Sequence, residues 1–129
     1  AHMAGNMRSR WTDFLTTDGE KPWRTRDAEF EPPPLGRDDL VASWEAGWQV
    51  LFDTLAGLTD DDLTRPIMIR GEAQTALAAM VRQVSHYAGH AHQIVLLAKH
   101  LKGAEWTVLS IPRGGSAAYT AASHAAGRP

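Results

Sequence analysis

The sequence predicts an all-α fold, an antiparallel helical bundle, on two observations. Three segments, about residues 2–15, 38–57 and 75–101, carry apolar residues at alternating three- and four-residue spacing, the repeat of one helix face. Period-two alternation, the mark of a half-buried strand, is confined to a short stretch around Ile67 and Ile69. Helices with long apolar stripes bury them against one another, so bundle packing follows.

The first helix presents Ala4, Met7, Trp11 and Phe14 on one face and stops against Gly19 and Pro22. The connection over 19–37 has no period and contains the run Pro32, Pro33, Pro34, each proline disfavouring helix in the residue before it. The second helix carries the seam Val41, Trp44, Trp48, Leu51, Leu55 and Leu58, with Asp38 and Asp39 in its first turn, where negative charge suits the helix dipole. Ile67 and Ile69, closed by Arg70-Gly71, fit a brief extended pair or turn. The third helix runs through Leu77, Met80, Val84, Tyr87, Ala91, Ile94, Ala98 and Leu101 to Gly103 as its C-cap. The tail over 104–129 reads as irregular with an Ala-rich, helix-compatible end. One domain over 1–129 is expected, although three long tryptophan-rich seams call for a further helix or a second subunit to cover them.

Composition narrows the function. The chain is 43% hydrophobic and 22% charged, as in an ordinary globular protein, with a formal charge of -2 that gives no footprint for nucleic acid or an anionic membrane. No apolar run is long enough for a membrane span and no secretory signal opens the chain, so a cytoplasmic location is the default expectation. With no cysteine, a metal would be held by nitrogen and oxygen alone.

Histidine carries the chemistry. Four of six histidines fall within "QVSHYAGHAHQIVLLAKHL", residues 83–101. On a helical wheel His86 and His90 lie about 40° apart, one turn above the other, flanking the Tyr87 seam by about 100° and 60° on the same side. His92 is about 160° from His90, and His100 about 15 Å further along the axis, so neither joins the pair. The row Gln83, His86, His90, Gln93 is then a polar line beside the core, and His2, Asn6, Ser9 and Asp13 form a matching stripe on the first helix. Facing stripes would make a three-histidine pocket of the kind bundles use for metals. Spacing alone leaves solvated histidines as the commoner reading, and Tyr87 in place of the glutamate of HExxH disfavours metalloprotease chemistry. "RGGS" at 113–116 reads as flexible tail, and "TDDDL" at 59–63 as a helix cap. His2 and Met3 taken by themselves have the look of a cloning remnant.

The stretches "HMAGNMRSRWTDFLTTDGEKPWR", "RGE", "HYAGHAHQIVLLAKHLKG" and "SIPRG" together resemble an uncharacterised branch of the DinB-like superfamily over nearly all of residues 2–116. The resemblance implies a four-helix bundle, frequently dimeric, whose first helix is absent here, so that the chain is N-terminally truncated. It implies a divalent metal, nickel or zinc, on one histidine of the family's second helix and two of an HxxxH in its last, which fall on His2, His86 and His90. Because the family places a histidine directly before its AGN-type stretch, His2 is expected to be native. Relatives include thiol-dependent S-transferases and a mycothiol-dependent isomerase.

The expected function is therefore a divalent-metal-binding bundle protein, acting as a metal-dependent transferase on a small-molecule substrate with a low-molecular-weight thiol, with hydrolysis second. Asn6 and Asp13 are the expected supporting residues, Arg113 would join them only if the tail folds back, and a homodimer is the expected assembly. The competing expectation is a non-catalytic bundle dimer whose metal site is structural or vestigial.

Overall fold

A computed structural model describes residues 1–32 and 36–127. Four α-helices are present among them: α1 (His2–Trp11), α2 (Arg37–Ala56), α3 (Ala76–Lys102) and α4 (Ser116–Ala125). A two-stranded antiparallel hairpin, β1 (Pro66–Ile69) and β2 (Glu72–Thr75), lies between α2 and α3. The protein is mostly helical, and no helix among the described residues is long and apolar enough to cross a membrane. Contacts divide the chain into a first unit, 1–91, and a second, 92–129.

Each predicted helix forms, with shifted ends. The apolar period of the first segment extends to Phe14, yet α1 stops at Trp11, because Asp13 takes a left-handed φ of 49° that no helix continues. Phe14 still reaches the core, 6% exposed, carried there by the turn. The proline run falls partly outside the described residues, at Pro33 and Pro34. The Ile67 and Ile69 alternation becomes β1, with both isoleucines buried and Met68 turned outward. Arg70 and Gly71 form the hairpin turn at φ 55° and 75°, two consecutive left-handed residues of the kind that match strand twist. "TDDDL" caps a short 3₁₀ turn, where Thr59 and Asp62 bond each other's backbone, and the bonds that the Asp62 carboxylate accepts from the Thr59 backbone and the Arg65 guanidinium lower its pKa to about 2. The segment expected as irregular tail holds α4.

The core of the first unit joins Met3, Met7, Trp11 and Phe14 of the α1 region to Leu51 of α2, Ile67 and Ile69 of the hairpin, and Ala76, Ala79 and Tyr87 of α3. Trp44 and Trp48 pack against it half-buried. The seams are only partly covered: Val41 and Leu55 on α2, and Leu77 and Val84 on α3, expected in the core, are exposed. In the second unit Ile94 and Leu101 of α3 are likewise exposed.

Candidate metal centre

The first unit brings α1 and α3 together through a polar link inside an apolar core. Trp11 Nε1 donates to the Tyr87 hydroxyl at 2.9 Å, and that hydroxyl donates to Asn6 Oδ1 at 3.1 Å. All three residues are buried, so each bond fixes position in a medium where leaving it unmade is costly. Burial also pushes the Tyr87 phenol up to about 12, which keeps it a proton donor. Asn6 stands one helical turn after His2, and Tyr87 directly follows His86, so the link sets the register of the histidines on the two helices.

In that register three imidazoles converge. His86 Nε2 lies 3.3 Å from His2 Nε2 and 3.1 Å from His90 Nε2. Potential ligand atoms of all three lie within 4.8 Å of one another. Nitrogens bonded at ~2.0–2.1 Å to one ion are about 2.9 Å apart at octahedral corners and about 3.4 Å apart at tetrahedral ones. The two separations from His86 fall between these limits, so His86 is spaced to share a cation with each of the other two, and the three together could hold a metal ion.

The connection before α2 completes the surroundings of His2. His2 Nδ1 donates to Glu29 Oε2 at 2.8 Å, which fixes the tautomer and leaves the Nε2 lone pair facing the other two rings. Glu29 is gripped by Arg24, whose Nε donates to Oε1 and Nη2 to Oε2, each at 2.8 Å, and Phe30 stacks on the His2 ring at 4.6 Å. Gly5 makes room for this arrangement: a Cβ there would sit 2.6 Å from Glu29 Cδ. Glu20 extends the network, pairing with Arg10 at 3.1 Å, Arg24 at 3.4 Å and Arg70 at 3.1 Å.

Protonation suits metal binding. Burial, followed by the neighbouring His90 and His2, lowers His86 to about 4, and burial lowers His2 against the opposing pull of Glu29. At neutral pH His86 therefore presents a lone pair. Burial works against ionising Glu29, but hydrogen bonds from Arg24 and His2 outweigh it and hold the carboxyl below its usual range.

Of the supporting residues expected from sequence, Asn6 lies beside the site, whereas Asp13 is exposed in the turn after α1 and its backbone carbonyl caps Thr16 and Thr17. Within the polar row of α3, Gln83 is buried. His92 and Gln93 in the second unit are exposed, as are His100, Arg113 and His124. Sequence reasoning missed Glu29, Arg24 and Phe30. The signal available was an acid-aromatic pair following an arginine within an aperiodic stretch.

A family model described as a protein of unknown function, DUF1572, matches residues 1–115. No curated protein and no solved structure matches the chain.

Proposed function

Since the chain belongs to the DUF1572 family of proteins of unknown function, we propose its role from its own residues: a divalent-metal protein with His2, His86 and His90 as ligands. The observation that carries this reading is the convergence of three Nε2 atoms at 3.1 and 3.3 Å, with His2 oriented from behind by Glu29. We assign the scaffold to the DinB-like superfamily on the quoted motifs and this triad, with nickel or zinc as the metal.

Three imidazoles leave coordination positions for water or substrate, the arrangement of a catalytic rather than a closed structural site. A divalent ion held there would lower the pKa of bound water or a substrate thiol to ~7 and so supply a nucleophile at neutral pH. Transfer to a low-molecular-weight thiol is the preferred reaction and hydrolysis the second. Glu29 would keep His2 in its ligating tautomer, and Arg24 would keep Glu29 ionised and in place.

The test is elemental analysis of protein prepared without an affinity tag, beside His86→Ala and His90→Ala. Stoichiometric nickel or zinc in the wild type and its loss from both variants is the expected result. A wild type that takes up no metal, or variants that hold it unchanged, would remove the proposal.

Exposed apolar residues on α2 and α3 favour a second reading of the same fold, as a bundle that pairs through its apolar helix faces. Phe52, Leu55, Val81 and Val84 are 56%, 37%, 61% and 68% exposed. A homodimer burying them predicts twice the chain mass in light scattering, and a monomer in Val81→Glu/Val84→Glu. Retained metal with no thiol-dependent or hydrolytic turnover would favour a structural site in such a dimer.

A further inference from the structure

A cavity of about 170 Å³ opens beside the triad, with His2 and His86 in its wall. Its other walls carry Arg10, Arg24, Arg26, Arg70 and Arg82, together with Gln83. Five arginines line so small a space, Arg10 and Arg24 from inside and Arg26, Arg70 and Arg82 at its exposed side, and their like charges favour an answering negative charge. Glu20 and Glu29 answer Arg10, Arg24 and Arg70. The remainder are poorly matched: Arg26 has only the fully exposed Asp27 at 3.9 Å, and Arg82 makes no ion pair among the described residues. The cavity therefore holds a surplus of positive charge within reach of the histidines.

Unpaired polar atoms supply a second, independent sign. Arg10 Nε and Gln83 Oε1 have no hydrogen-bond partner, although their residues are only 5% and 4% exposed. Orphans at this depth are rare in folded proteins; Arg10 is among the residues lining this cavity, and Gln83 stands between it and an apolar pocket walled by Trp11, Trp48 and Tyr87.

We propose that this cavity binds a compact oxyanion, the carboxylate or phosphate group of a small polar molecule, and holds it against the histidine triad. The planar guanidinium fork matches either group with two parallel hydrogen bonds. At about 170 Å³ the space lies below the ~300–1,000 Å³ of drug-sized pockets, which points to a small acid or phosphate monoester rather than a nucleotide. That this anion is the substrate on which the metal acts rests on the metal reading above. Binding of the anion itself does not.

The experiment is calorimetric titration at low ionic strength with inorganic phosphate and, separately, malonate. It is run on the protein as purified and after dialysis against a chelator. Saturable binding of at least one probe is expected in both preparations, weakening as salt is added. Arg82→Ala should bind about tenfold more weakly and Arg82→Glu more weakly still, with Arg37→Ala, on the exposed start of α2, equal to wild type. Preference between the probes tells carboxylate from phosphate. Failure of both probes to bind the wild type, or equal binding by Arg82→Glu, overturns the proposal. Binding by a protein that elemental analysis finds free of metal would sustain the anion site while the metal reading falls, and a loaded protein that binds neither probe would do the reverse.

Discussion

Gly5 lies directly beneath the carboxylate of Glu29, so close that a Cβ at position 5 would stand 2.6 Å from Glu29 Cδ. Helix α1 thus leaves one bare backbone position where the loop carboxylate comes down to meet His2. Gly5→Ala should displace Glu29, free the His2 tautomer and weaken metal affinity about tenfold, the lower end of what losing such an orienting partner costs. Competition with a chromophoric chelator measures it. Wild-type affinity in this variant would show that Glu29 does not orient the ligand.

Tyr87→Phe removes one hydroxyl but strands two buried groups, Trp11 Nε1 and Asn6 Oδ1. Destabilisation of about 1–3 kcal/mol in urea unfolding is expected, since the cost is that of unmade bonds in the core. A loss below about 0.5 kcal/mol would mean that water replaces the hydroxyl.

Asp18 accepts the backbone N–H groups of Glu20 and Arg70 on Oδ1 and of Gly71 on Oδ2, tying the chain after α1 to the hairpin turn. Bonds from Glu20 and Gly71 depress its pKa below 3.8. A depressed carboxylate stabilises the fold above its unfolded pKa, and that contribution disappears as pH falls through the lower folded value. The urea midpoint should therefore drop below about pH 4, and less steeply in Asp18→Asn. Identical acid limbs for the two proteins would sink this assignment.

His92→Ala/His100→Ala should retain the wild-type metal content, because neither imidazole belongs to the cluster of His2, His86 and His90. Lost metal in the double variant would show that the ligand set has been drawn wrongly.

The three-histidine cluster was legible because it depends on helix period. One turn separates His86 from His90, and α1 and α3 keep the polar flanks that the wheel assigns them. Asp13 marks where period failed, since a single left-handed residue ended the helix and took the last member of the stripe away from the site. Glu29 and Arg24 lie in a connection with no repeat, and their place beside His2 follows from how that connection crosses α1. No local pattern encodes such a crossing. The seams were read correctly as helical but too generously as core, because an apolar stripe records what a face can bury and not whether a neighbour covers it.

The ion-paired chain from Arg70 through Glu20, Arg24 and Glu29 to His2 runs without a gap longer than 3.4 Å. A substitution in the hairpin turn is therefore not independent of one at the first helix, even though many residues separate them in sequence. Drift at position 70 would change which replacements position 29 tolerates, so the two sites would evolve epistatically. The hairpin, two short strands that contain no histidine, acts as an outlying constraint on the histidine cluster.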